Sequence, residues 1–81
     1  VQFLPRARRQ FEALPRDVLR RVDARILALA EEPRPPGVLK MHGSEGYYRL
    51  RVGDYRVVYA IKDAVLLVLV VRIGHRREVY R

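Results

Sequence analysis

The sequence predicts a small α+β domain: an N-terminal strand and a helical hairpin packed on a small antiparallel sheet that carries a three-strand meander. Apolar residues in the first half recur at helical spacing, and those in the second half alternate or run together as strands do. Pro33, Pro35, Pro36 and Gly37 form a breaker cluster between the halves. The chain has 81 residues, the size of one domain spanning 1–81. A domain this small buries only about 60% of its unfolded surface, so its core is thin but sufficient.

Each element follows from its residues. "VQFL" at 1–4 reads as a short strand. Pro5 comes next, suited to the first turn of a helix, where its missing N–H costs nothing. Ala7, Phe11 and Leu14 then recur at i, i+4, i+7. Pro15 interrupts and opens a second helix, whose Val18, Val22, Ile26 and Leu29 line one face; Asp17 in its first turn suits the helix dipole. Both apolar stripes need a sheet to cover. After the connector "VLKMHGSEG" come strand candidates at Tyr47–Val52, 55–61 and 64–73. The last is apolar on both faces, which predicts a central or doubly covered strand. Gly53-Asp54 is a two-residue hairpin loop, with Gly supplying the positive φ of a primed turn. Lys62-Asp63 make the next turn.

Composition narrows the function. Hydrophobic residues make up 49% and charged residues 32%, as in globular proteins and unlike disordered ones. With no cysteine there are no disulfides and no cysteine-based metal site, which fits a reducing cytoplasm. His42 and His75 are far apart in sequence, so no metal is expected. No apolar run has the length of a membrane span and no signal peptide is apparent, so no membrane partner is expected. The net charge of +8, from 17 basic and 9 acidic residues, points to a polyanion or a strongly acidic protein partner.

The hairpin loop sets a register. If Val52 pairs with Tyr55, then 51 pairs with 56, 50 with 57 and 49 with 58. Side chains alternate faces along a strand. Arg49, Arg51, Arg56 and Val58 therefore share one face, and Tyr48, Leu50, Val52, Tyr55, Val57 and Tyr59 share the core face. Arg51 stands directly across from Arg56, a destabilising pairing of like charges. An anion between the two guanidinium groups turns that repulsion into attraction, and arginine forks match phosphate oxygens. The C-terminal "GHRREVYR" adds His75, Arg76, Arg77, Tyr80 and Arg81 beside the same sheet. His75 is an imidazole of the kind that serves in acid–base chemistry, and Tyr80 is able to stack on a base. The second hairpin has no fixed register, and one added loop residue turns Arg72 over, so Arg72 is left unassigned.

Taken together, "LKMHGSEGYYRLRVGDYRVVYAI", an apolar strand and "RIGHRREVYR" behind a βαα hairpin resemble the RelE/ParE superfamily of toxins from bacterial and archaeal toxin–antitoxin modules. The resemblance covers essentially the whole chain and is most specific in "YRLRVGDYRVVY" and "HRREVYR". It implies a RelE-like fold and a metal-independent, cofactor-free endoribonuclease acting on translated mRNA at the ribosome. There the 2′-hydroxyl attacks the adjacent phosphate, leaving a 2′,3′-cyclic phosphate and a 5′-hydroxyl. Carried over by motif, Arg51 and Arg56 stabilise the phosphorane, Arg49 binds phosphate with Arg77 and Arg81 nearby, Arg76 serves the leaving oxygen, and Tyr80 completes the site. The RelE branch often has lysines where Arg49 and Arg51 stand. Arginine stays protonated and is a poor base, which leaves His75, Tyr80 and Glu45 as the possible proton acceptors. The resemblance also implies an acidic antitoxin lying over the basic sheet or displacing the C-terminal tail. The superfamily includes ParE-type toxins, non-catalytic inhibitors of DNA gyrase. That reading and a degenerate relative binding only RNA or antitoxin stand as alternatives.

Overall fold

Helices occupy the first half and strands the second. The computed structural model describes residues 1–41 and 46–75. The elements are β1 (Gln2–Phe3), α1 (Pro5–Glu12), α2 (Arg16–Ala28), β2 (Leu39–Lys40), β3 (Tyr47–Val52), β4 (Tyr55–Lys62) and β5 (Leu67–His75). Pro5 stands at the start of α1, and Pro15 is the residue that caps α2. The strands form one sheet in the order β1-β5-β4-β3-β2. β1 runs parallel to β5, and every other neighbouring pair is antiparallel. This is the expected α+β architecture. Among the described residues, no helix is long and apolar enough to cross a membrane.

The β3–β4 register is the one the Gly-Asp loop dictates: Val52 faces Tyr55, Arg51 faces Arg56 and Arg49 faces Val58. Gly53 has φ 58°, and Asp54 is not in the left-handed region. Positive φ at the first loop position alone is the II′ pattern, whose twist matches that of the flanking strands.

Three features differ from the sequence-based expectation. The connector contains β2, a two-residue strand pairing Leu39 with Arg49 and Lys40 with Tyr48; two residues are too few for alternation to show. The last strand starts at Leu67, not at 64. Asp63–Val65 is a 3-10 turn, and Leu66 closes it at φ 52°. Lys62 already pairs with Leu67, so the chain has to reverse between them despite its apolar composition. Finally, although β5 is an interior strand, β4 is the central one, and its residues from Arg56 to Ile61 are buried on both faces.

The helices cover one face of the sheet. Ala7, Val22, Ile26 and Leu29, each 1% exposed or less, meet Leu50, Val57, Tyr59, Val70 and Ile73. Each such aliphatic side chain stabilises by about 1.5–3 kcal/mol on burial. Tyr59 satisfies its buried hydroxyl by donating to the Pro33 carbonyl at 2.7 Å. Burial pushes its phenol pKa up to about 12, with Tyr48 adding to the shift and Arg34 opposing it. β1 ends at Phe3, so among the described residues no strand pairs with β5 beyond Val70 on that side. There α1 takes over: Gln10 Oε1 accepts from the Ile73 N–H at 2.8 Å.

Candidate functional site

The face of the sheet away from the helices is built in rows of cross-strand neighbours. One row runs Arg51, Arg56, Gly74, and the next runs Leu39, Arg49, Val58, Arg72. Directly paired residues point the same way, so among the described residues Arg49, Arg51, Arg56 and Arg72 share this face. Arg49, Arg51 and Arg56 line a single cleft of about 260 Å³, walled by Gly37, in the segment leading into β2, and by Leu39 of β2 itself.

The arginines differ in environment. Arg51 is exposed, and its Nε donates to the Gly53 carbonyl at 3.1 Å, so the hairpin turn holds the guanidinium. Arg56 is 7% exposed, and its Nη1 donates to the Tyr55 carbonyl at 3.3 Å. Among the described residues it is the buried charged side chain. A guanidinium carries five N–H donors in a fixed fork, so anchoring one donor on backbone sets the direction of the rest. The two rows carry no carboxylate and no imidazole.

Arg72, which the sequence leaves unassigned, joins this face because of a β-bulge. Tyr59 pairs with Val70, but the next residue, Val58, pairs with Arg72, so Val71 is skipped. The extra residue turns everything beyond it to the opposite face from the one an unbroken ladder would give. The same bulge corrects the placement of His75. It pairs with Tyr55 on the helix side, its ring 5.5 Å from the Tyr55 ring in an edge-on contact. Arg72 and His75 are an odd number of residues apart, so a regular strand cannot present both to one face. His75 lines a different cleft, with Gln10, Leu14, Pro15 and Tyr55. The structure thus brings together Arg49, Arg51 and Arg56, adds Arg72, and sets His75 apart. Arg76, Arg77, Tyr80, Arg81 and Glu45 lie outside the described residues.

The loop that walls the cleft is tied down at its start. Arg34 forks onto Asp63, with Nη1–Oδ1 at 3.3 Å and Nη2–Oδ2 at 2.9 Å. Its Nε donates to the Tyr48 hydroxyl at 3.0 Å, and its guanidinium lies 5.4 Å from the centre of the Tyr48 ring. Hydrogen bonds from Arg34 hold the Asp63 carboxyl below the usual carboxylate range, and Asp63 raises Arg34 further above its already high value. With the Tyr59–Pro33 hydrogen bond, this network anchors residues 33 and 34 to the sheet. Among the described residues, no group of three or more His, Asp or Glu side chains is placed to hold a metal.

A five-stranded sheet with two helices on one face and arginines on the other defines the class of small toxins in the RelE/ParE superfamily. A family model for the ParE toxin of the type II toxin–antitoxin system parDE matches residues 1–80. The chain belongs to this toxin family. Over 82 aligned positions it is 33% identical to toxin RelG of Mycobacterium tuberculosis, covering all of this chain and 94% of that one. Among solved structures it matches the isolated E. coli RelE toxin with a TM-score of 0.83 and 28% identity, over 98% of this chain and 87% of that one. It also matches the M. tuberculosis RelBE2 toxin–antitoxin complex with a TM-score of 0.78 and 31% identity, over 91% and 93% of the two chains.

Proposed function

We propose that this toxin is a metal-independent endoribonuclease that cleaves translated mRNA at the ribosome. The observation that carries the reading is the cleft lined by Arg49, Arg51 and Arg56 from neighbouring strands. Arg51 and Arg56 are direct cross-strand partners, so their side chains leave the sheet side by side and present two guanidinium groups to one ligand. A phosphodiester is an anion whose oxygens arginine forks match in a bidentate way. In the reaction the 2′-oxygen forms a bond to phosphorus and the bond to the 5′-oxygen breaks. The products are a 2′,3′-cyclic phosphate and a 5′-hydroxyl, the proton leaving the 2′-hydroxyl for a base while another reaches the departing oxygen. Arg51 and Arg56 stabilise the charge that builds on the non-bridging oxygens, an effect worth about 10²–10³ in rate per donor. Arg49, Arg77 and Arg81 bind phosphate, and Arg76 serves the leaving oxygen. The position of His75 on the helix side argues against it as the proton acceptor and leaves that role to Tyr80 or Glu45.

The partner that restrains this activity is an acidic antitoxin. Several of the similar structures are complexes of a RelE toxin with RelB. A protein of charge +8 favours a partner of opposite sign.

The matching family model is named for ParE, which supports a second reading, inhibition of DNA gyrase without catalysis. Purified toxin added to programmed ribosomes decides between them. Codon-register cuts with 5′-hydroxyl ends are expected, and Arg51→Ala should abolish them. Intact message together with arrested supercoiling by gyrase would replace this reading with the second.

A further inference from the structure

A second cleft, of about 320 Å³, adjoins the arginine cleft and is lined by Leu39, Lys40, Met41 and Arg49. The two clefts share Leu39 and Arg49. A single exposed leucine needs no partner. What distinguishes Leu39 is that it is 55% exposed and forms the wall common to both clefts.

Its orientation is fixed by pairing. Leu39 is the cross-strand partner of Arg49 and so stands on the arginine face. Met41 follows two residues later, held in line by its N–H donating to the Tyr47 carbonyl at 3.0 Å. Strand alternation puts Met41 on the same side as Leu39. The result is an apolar step at the sheet edge, flanked by the Arg49 guanidinium. Directly paired side chains lie about 5 Å apart and diagonal ones about 7–8 Å, so the step is one side chain away from Arg49 and one diagonal away from Arg51. That is the relation between a phosphate and the base of its own nucleotide. Beside Leu39, Gly37 (φ 91°) opens the far wall: a Cβ placed there would meet nothing within 4 Å.

We propose that Leu39 and Met41 seat one unstacked nucleobase of the strand whose phosphate occupies the arginine cleft. This rests on the phosphate reading of that cleft and adds a base-binding position to it. The ligand is single-stranded nucleic acid, because a duplex keeps its bases in the stack and has no flat apolar face to lay on the step. Arg49 at the edge of the seat adds a cation–π contact with the ring.

The test uses short 2′-deoxy strands, which lack the attacking hydroxyl and stay intact: one bearing thymines, and one abasic strand of equal length. Fluorescence anisotropy reads the affinity of each. The wild type should bind the thymine strand about tenfold more tightly than the abasic one. Leu39→Ala should erase that difference by weakening only the thymine strand. Leu39→Trp should widen it, since aromatic stacking is worth more than aliphatic contact. Arg51→Ala should weaken both strands alike. Equal loss on both strands from Leu39→Ala, or no loss on either, overturns the base seat. A thymine preference that persists in Arg51→Ala with no loss of affinity removes the phosphate cleft and leaves the seat standing, so the two failures are told apart. Leu39 is on the surface, so thermal unfolding of the variants should match the wild type.

Discussion

Arg51 and Arg56 face each other across a hairpin, but they are not equivalent. Arg51 has its head in water and its Nε on a turn carbonyl; Arg56 is buried along its stem. Truncation should therefore separate two effects. Arg51→Ala removes charge from an exposed site and relieves a like-charge pair, so stability should change by less than about 0.5 kcal/mol. Arg56→Ala also removes buried methylenes and should cost about 2 kcal/mol. Arg56→Met keeps an apolar stem of similar length and should recover most of that loss. All three should lose mRNA cleavage. Urea denaturation read beside the cleavage assay checks this, and an active Arg56→Met would assign the residue to packing alone.

The turn between β4 and β5 is the element most at odds with its own residues. Leu66 sits at φ 52° with 94% of its surface exposed. A branched side chain in the left-handed region costs roughly 1–2 kcal/mol, and an exposed one gains nothing from contacts in return. Leu66→Gly should raise stability by about 0.5–1 kcal/mol after the entropy of the freer unfolded chain is subtracted. That corresponds to a few degrees in melting temperature, on the order of 4–8 °C per kcal/mol for a domain this size. An unchanged or lower melting temperature would contradict the strain. The same turn shows why the sequence was legible in some places and not in others. The Gly53-Asp54 loop permits one register, so the arginine face of the first hairpin could be deduced residue by residue. The segment from Ala64 to Val71 is apolar at every position, and both parities look alike. Neither the 3-10 turn nor the bulge at Val71 leaves a mark in such a run. Arg72 and His75, whose faces depend on that bulge, were therefore out of reach. The walls of the cleft, Gly37 and Leu39, were hidden for another reason: β2 is defined by its partner β3 and not by any pattern of its own.

Across the whole molecule, the charge of +8 spreads over a body of only 33 × 25 × 25 Å. At physiological salt the screening length is about 8 Å, so charges on the helix side contribute little to a strand held on the opposite face of the sheet. The affinity for single-stranded nucleic acid should then count the arginines of one face and not the net charge. Seven contacts, from Arg49, Arg51, Arg56 and Arg72 together with Arg76, Arg77 and Arg81, predict that the logarithm of the binding constant falls with the logarithm of salt with a slope of about −5, at roughly 0.7 per phosphate. Raising salt fourfold should weaken binding by about 10³-fold on that slope. Each Arg→Ala substitution on the face should reduce the slope by about 0.7, while Arg8→Ala and Arg25→Ala, on the helices, should leave it unchanged. A slope that falls with Arg8→Ala or Arg25→Ala would mean that the strand wraps both sides of the domain, and a slope that ignores Arg51→Ala would separate binding from the arginine cleft. Either result is read directly from anisotropy titrations at several salt concentrations.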